Sequence, residues 1–346
     1  MNLPMTKKIY IQAATQISLQ QPLCETWMDT PAGYDVPYAR SIDPDFKAFL
    51  TPLEARRMGK LLKRALTVSL HTLRTAGIAQ PDAIITGTGL GCIESTEQFL
   101  HILCEEGEEL LKPTCFMQST HNTISSLIAI HTGTHGYNMT YSHKGISFDC
   151  ALLDARMLLR AGRIRHALVG GHDELTPSYF TLLQRIGYVG VPGMTVAGEV
   201  SVAMLLTTES PAALCELAGI RMLYKPSPAQ LQTALDTLLD EAAVPPAAID
   251  AVMTGDNGNP ANDEPYRVAL DRLLPDTPRL HYKHLFGECY TASGMGIYAA
   301  AHYLQRGAVA PDALNPATGK LRTILCFHQF EGKNYSLVLL KAICGE

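Results

Sequence analysis

The sequence predicts an α/β protein assembled from two copies of one unit, and three observations lead there. A short apolar run ending in Thr-Gly occurs twice, as Asp82-Ala83-Ile84-Ile85-Thr86-Gly87 and as Asp250-Ala251-Val252-Met253-Thr254-Gly255. The copies lie about half the 346-residue chain apart. Each is preceded by a helix whose start has the same chemistry. Thr51-Pro52-Leu53-Glu54 and Ser227-Pro228-Ala229-Gln230 both place a hydroxyl at the N-cap, Pro at the first helical position and a capping-box Glu or Gln. A helix, caps, strand and turn repeated in one order point to a duplicated α/β unit.

Taken along the chain, the first helix carries Met58, Leu61, Leu62, Ala65 and Leu66 at helical spacing, and Gly77 ends it. The run 82–87 then reads as a buried parallel strand closing in a tight turn. Residues 152–161 are helical in pattern, Gly162 closes them, and 166–170 form a buried strand, with another at 200–207. The second capped helix presents Leu231, Ala234, Leu235, Leu238 and Leu239, exits at Pro245 and feeds the run 250–255. Residues 291–305 form a helix rich in Ala and Gly, which permits close packing. Residues 322–327 and 335–341 read as strands paired around a Gly-containing turn. No low-complexity linker separates the copies, so 1–210 and 211–346 are expected as two halves of one compact unit.

Composition narrows the function. The chain is 47% hydrophobic and 18% charged, ordinary for a folded α/β protein and unlike a disordered one. Lys plus Arg is 28 against 33 Asp plus Glu, a formal charge of -5, whereas a phosphate-backbone binder is normally basic. Residues 1–11 contain Lys7 and Lys8 but no apolar core or cleavage site of a signal peptide. No stretch is long and apolar enough to cross a bilayer. Nine cysteines without a CxxC pair or Cys/His metal spacing indicate free thiols in a reducing cytoplasm and no metal site.

Several motifs, in their order and spacing, resemble the thiolase fold and, within it, the elongating β-ketoacyl-acyl-carrier-protein synthases. Gly87-Thr88-Gly89-Leu90-Gly91 resembles the family's first Gly-rich turn, and Gln118-Ser119-Thr120-His121-Asn122 the segment that crosses its dimer interface. Leu159-Arg160-Ala161-Gly162 through Gly170-Gly171 resembles the helix and strand behind the nucleophile. Asn259-Pro260-Ala261-Asn262-Asp263 resembles the first histidine loop; Lys283 with Gly287 through Gly294 resembles the second; Phe330, Gly332 and Asn334 resemble the C-terminal Gly-rich gate. The resemblance covers nearly the whole chain. It implies a five-layered α-β-α-β-α arrangement of duplicated βαβαβ halves. It also implies a Cys-His-His site that accepts an acyl chain as a thioester and condenses it with a malonyl unit, without a cofactor.

The sequence departs from that pattern at all three reactive positions. The nucleophile position falls on Gly145, the first histidine on Gly255 and the second on Glu288. Glycine supplies neither nucleophile nor base, and an ionised carboxylate beside an enolate would destabilise it. Degenerate positions of this kind resemble a chain-length factor, an inactive homologue that pairs with an active ketosynthase and shapes a shared acyl tunnel, as in aryl-polyene and related pigment pathways.

Other residues stand near these positions. Cys150 lies inside the following helix and Cys289 follows Glu288; packing is the reading favoured for both thiols. His143, His121 and His284 flank the site loops as acid-base candidates or structural residues. Lys283 matches a family lysine, Asp263 suits a turn-amide acceptor, and Phe330 reads as tunnel gate or core aromatic. Arg56, Arg57, Lys60, Lys63 and Arg64 sit opposite the first helix's apolar stripe, as a solvated face or, through Arg56, Arg57 and Lys60, a dock for an acidic carrier protein. Phe116, Met117, Ile124, Leu127, Ile128 and Ile130 would leave an apolar patch on a monomer, so 116–130, with Thr120, His121 and Asn122, is expected to form a dimer interface. The expected partners are acyl carrier protein and either an active ketosynthase or a second copy of the chain. The expected function is a non-catalytic ketosynthase-like subunit. The alternative is a condensing enzyme or malonyl-carrier-protein decarboxylase using His143, Lys283 or Glu288.

Overall fold

The computed structural model describes residues 7–111, 113–209, 212–311 and 320–343. The boundary expected between 210 and 211, and residues 1–6 of the segment read for a leader, lie outside them. The strands are β1 (Tyr10–Ile17), β2 (Ala83–Gly87), β3 (Tyr137–Tyr141), β4 (His166–Asp173), β5 (Val200–Thr207), β6 (Cys215–Tyr224), β7 (Ala251–Thr254), β8 (Arg279–His281), β9 (Thr323–Phe330) and β10 (Asn334–Lys341). The helices are α1 (Pro52–Arg57), α2 (Lys60–Ala76), α3 (Ile93–Glu105), α4 (Pro113–Ser119), α5 (Thr123–Thr132), α6 (Ser147–Arg160), α7 (Pro177–Arg185), α8 (Pro228–Ala242), α9 (Pro260–Leu273), α10 (Lys283–Phe286) and α11 (Ala292–Arg306).

The strand order is β3-β2-β4-β5-β1-β6-β10-β9-β7-β8. Read inward from each edge, β3-β2-β4-β5-β1 and β8-β7-β9-β10-β6 are the same sequence of elements. In each, the repeated strand (β2 or β7) has parallel neighbours on both sides, and the next two pairings are antiparallel. The two Thr-Gly runs therefore hold equivalent positions. The halves join through a short β1–β6 contact, Tyr10 opposite Glu216 and Ile11 opposite Cys215.

The layers follow from the two-residue period of the strands, which sends alternate side chains to opposite faces. Ile85, Val169 and Met204 of the first half and Met253, Ile324 and Val338 of the second share one core with α6 and α11. Ile84, Leu168 and Leu205 face outward onto α2 and α5. Val252, Leu325 and Leu337 face outward onto α8 and α9. The result is the five-layered α-β-α-β-α thiolase-like fold. Its central α11 is buried from Ala292 to Leu304, which requires small residues: a Cβ on Gly294 would stand 2.8 Å from Val202 and 3.0 Å from Phe148.

Both capped helix starts form complete capping boxes, Thr51 with Glu54 and Ser227 with Gln230. Three sequence expectations need correction here. The first helix is two helices, because Met58 is extended and Gly59 N-caps α2. Arg64 does not join the solvated basic face. It is 1% exposed, and its guanidinium pairs with Asp43 and, at 2.8 Å, with Glu199. In the expected apolar patch Ile124 and Ile128 are core residues beneath α5, whereas Phe116, Met117 and Ile130 are 58%, 67% and 79% exposed. Among the described residues no helix is long and apolar enough to cross a membrane.

Candidate functional site

The ends of β2, β7 and β9 and the start of α6 converge on one polar cluster. Gly145 lies in a single 3-10 turn, Lys144–Ile146, that leads into α6. A Cβ at Gly145 would stand 2.2 Å from Cδ2 of Phe330, a separation real atoms do not tolerate. The Gly145 carbonyl accepts from His328 Nε2 at 2.8 Å. Because a carbonyl only accepts, Nε2 carries the proton, and Nδ1 is left to accept from Tyr266 Oη at 3.3 Å. Burial holds the His328 pKa below its ordinary value, against the pull of the Asp149 carboxylate, so the neutral imidazole fits both bonds.

Gly255 follows β7 and also lies against Tyr266. A Cβ there would stand 2.6 Å from Tyr266 Oη, 3.0 Å from Tyr282 Oη and 3.1 Å from Lys283 Cε. Lys283 and Glu288 are both buried, their Nζ and Oε2 atoms 2.7 Å apart. Glu288 Oε2 also accepts from Asn257 Nδ2 at 2.6 Å. The backbone of Glu288 is clamped as well: its N–H donates to Val196 at 2.8 Å and its carbonyl accepts from Gly198 at 3.0 Å. These additional bonds help to offset the cost of burying the ion pair and hold both side chains in place.

Phe330 ends β9, and its position is fixed by the turn behind it. Glu331 and Gly332 have φ of 55° and 61°, the positive pair a type I′ turn needs. Gln329 binds this turn to α9: its Oε1 accepts from Gly332 N at 2.8 Å, and its Nε2 donates to the Asn262 carbonyl at 2.7 Å. The Phe330 ring lies 6.1 Å from Tyr290, which lies 5.8 Å from Tyr188. Across from this aromatic row, Asp173 holds the Gly-rich turn by accepting from Thr88 Oγ1 at 3.0 Å and from the Gly89 and Leu90 amides at 2.9 Å. Burial pushes the Asp173 carboxyl up to about 6 despite those bonds. Two small cavities adjoin the cluster. One, about 20 Å³, lies among Leu90, Tyr188, Glu288 and Tyr290; the other, about 10 Å³, lies beside Asp149 and His328. Each has room for about one water, far less than an acyl chain needs.

The structure thus brings together Gly145, Gly255, Glu288, Lys283 and Phe330. It adds His328, Tyr266, Tyr282 and Asn257, which the sequence reading did not name. The signal that could have pointed to His328 is a histidine within the mostly apolar run Thr-Ile-Leu-Cys-Phe-His-Gln-Phe, which the structure buries throughout. His143 is exposed just before the Gly145 turn, His121 is exposed with its ring 3.2 Å from where a Gly91 Cβ would stand, and His284 borders an outer groove with Val36 and Val191. The thiols are poorly suited to attack: burial, then Asp149, pushes Cys150 up to about 11, and burial, then Asp173, pushes Cys289 well above its ordinary range. Asp263 accepts from the Asn257 and Gly258 amides at 2.9 Å, a turn-forming role. Among the described residues no group of three His, Cys, Asp or Glu side chains is placed to hold a metal ion.

Two surfaces complete the picture. Arg56 and Arg57 are exposed at the end of α1, and half-buried Lys60 starts α2, lining a recess with Glu94, Glu97 and Glu174. Thr120, His121 and Asn122 form the exposed turn between α4 and α5. Close in sequence, β3 is an end strand of the sheet, so among the described residues one of its edges has no strand beside it. The thirteen-residue α3 buries only Ser95, and its Phe99 packs at 5.5 Å on Phe116 of α4.

Comparison with known proteins agrees with this architecture. Residues 13–244 match the family described as "Beta-ketoacyl synthase, N-terminal domain". A ketosynthase/chain length factor of the ishigamide system superposes with a TM-score of 0.82 at 17% identity, covering 98% of this chain and 100% of that one. A β-ketoacyl synthase from Burkholderia phymatum STM815 gives 0.79 at 14% identity, with 98% and 100% coverage. A ketosynthase in complex with its chain length factor from Xenorhabdus doucetiae gives 0.76 at 17% identity, with 99% and 100% coverage. A sequence search of the curated proteins returns no significant match.

Proposed function

Because the chain belongs to the β-ketoacyl synthase family, we propose that it is a non-catalytic, chain-length-factor-like subunit that pairs with an active ketosynthase in fatty acid or polyketide synthesis, of which the aryl-polyene type is one instance. One observation carries the reading: where the family resemblance puts the nucleophile, the Phe330 ring fills the space a side chain on Gly145 would need. The other two reactive positions support it. Gly255 faces the Tyr266 and Tyr282 hydroxyls, and Glu288 is neutralised by Lys283. In this reading Phe330 is a fixed plug, held by the Gln329 bonds to its turn and to α9, and the polar cluster maintains structure where the family performs chemistry.

Pairing is supported by the unpaired edge of β3, the poorly buried α3 and the exposed Phe116, Met117 and Ile130, which a second subunit would cover. A heterodimer supplies a cysteine nucleophile that a homodimer of this chain would lack. Two similar structures, the ishigamide protein and the Xenorhabdus complex, are of ketosynthase and chain-length-factor systems. Acyl carrier protein would approach Arg56, Arg57 and Lys60, whose charges attract an acidic partner at long range. The test is intact-mass analysis of the purified chain after incubation with acyl- and malonyl-carrier protein. No covalent acyl adduct and no condensation product are expected. A stoichiometric adduct lost on Cys150→Ala or Cys289→Ala would overturn the reading and make the chain an enzyme with altered residues.

A further inference from the structure

The second cavity beside the site lies in the middle layer of the sandwich, walled by α6, α11, β7, β9, β10 and Tyr282. Much of its wall is apolar, including Met253, Ile297, Phe327 and Val338, yet two buried polar atoms on lining residues lack a partner among the described residues. Asp149, in the first turn of α6, is 1% exposed; its Oδ2 accepts from Ser293 Oγ at 2.8 Å, while Oδ1 has no hydrogen bond. Tyr282 is 3% exposed, and its Oη has none either. Both side chains line the same small cavity. Of the other polar lining residues, Ser293 binds Asp149 and His328 already uses both ring nitrogens, on Gly145 and Tyr266.

A buried carboxylate oxygen and a buried hydroxyl are each costly to leave unbonded, and the cost is greater for the carboxylate. The carboxylate can only accept and the phenol can donate, so a molecule able to do both would satisfy the pair. The space, about 10 Å³, is at the lower limit for a single water. We propose that this cavity is a binding site for a single structural water, which accepts from Tyr282 Oη and donates to Asp149 Oδ1. The water would join the start of central helix α6 to the residue preceding Lys283, so that α11, α6 and the Lys283–Glu288 loop share one chain of bonds: Ser293, Asp149, water, Tyr282.

A crystal structure at about 1.8 Å or better tests this directly. The expected result is a single density peak within hydrogen-bond distance of both oxygens. An empty cavity, or a direct Asp149–Tyr282 hydrogen bond, would overturn it. Tyr282→Phe removes one anchor while keeping the ring, and Asp149→Asn keeps an oxygen acceptor. Tyr282→Phe should lower Tm by roughly 1–4 °C and abolish the peak, whereas Asp149→Asn should retain the peak. A Tm unchanged by Tyr282→Phe, or a peak that persists in that variant, would contradict the proposal.

Discussion

Breaking the Lys283–Glu288 pair one residue at a time should cost far more than removing it whole. The charged atoms are 2.7 Å apart, and the two side chains are 5% and 4% exposed, so neither can be rehydrated without opening the core. Lys283→Met strands the Glu288 carboxylate with only the Asn257 amide as partner. Glu288→Leu strands an ammonium beside Gly255. Each single change should therefore destabilise the protein by ~3–5 kcal/mol. The double variant leaves no unpaired charge, and its main loss is the Asn257 bond, ~1–3 kcal/mol. The double variant should then be more stable than either single, with a coupling of ~3 kcal/mol or more between the sites. Urea unfolding monitored by the fluorescence of Trp27 measures this. That residue is the chain's one tryptophan, buried with its ring 5.0 Å from that of Phe286, which ends α10, the helix that Lys283 begins. Single-variant losses below about 1 kcal/mol that simply add would refute the reasoning, since they would mean the pair is solvated and the cluster open.

Gly145→Ala should destabilise by ~1–3 kcal/mol through overpacking against Phe330. Phe330→Leu in the same chain should recover part of that loss, as read by a double-mutant cycle in thermal melts. Glu174 is buried, accepts from the Glu94 amide, and burial raises its pKa from the usual 4.5 to about 7. A carboxyl raised on folding contributes stability that is complete below about 4.5 and lost as pH rises through about 7, a span worth ~3 kcal/mol. Glu174→Gln should therefore flatten the stability profile across that window in pH-dependent urea melts; an unchanged slope would rule this group out as its source. Charge reversal at Arg56, Arg57 and Lys60 should weaken carrier-protein binding at low salt and matter less at high salt. Calorimetric titration at two ionic strengths checks it, and equal affinities for both forms at low salt would leave the cluster a solvated face.

The fold was legible because the duplicated features are local. Capping boxes, a short apolar run and a closing glycine state their conformations in adjacent residues, and their repetition underlies the pseudo-symmetric order that β2 and β7 occupy. The helix break at Met58–Gly59 was missed because the apolar spacing continues across it, while the Gly59 amide turns aside to donate to Gln118 Oε1, 59 residues away. Arg64 was misread for a similar reason. It stands in a basic run with Lys60 and Lys63, and only tertiary packing brings Asp43 and Glu199 to it. At the candidate site the family resemblance singles out Gly145, Gly255 and Glu288, but their surroundings were not legible, because the Phe330, Tyr266 and His328 side chains arrive from α9 and β9, more than a hundred residues from Gly145.

The most direct measurement is an elongation assay on this chain co-expressed with an intact ketosynthase from the same gene neighbourhood. The account predicts a stable heterodimer by size exclusion that condenses acyl chains on carrier protein. Activity should be lost when the partner's nucleophilic cysteine is mutated and kept when Cys150 and Cys289 are both changed to alanine. A monomer or homodimer that ignores every such ketosynthase, or condensation that survives loss of the partner's cysteine, would contradict it.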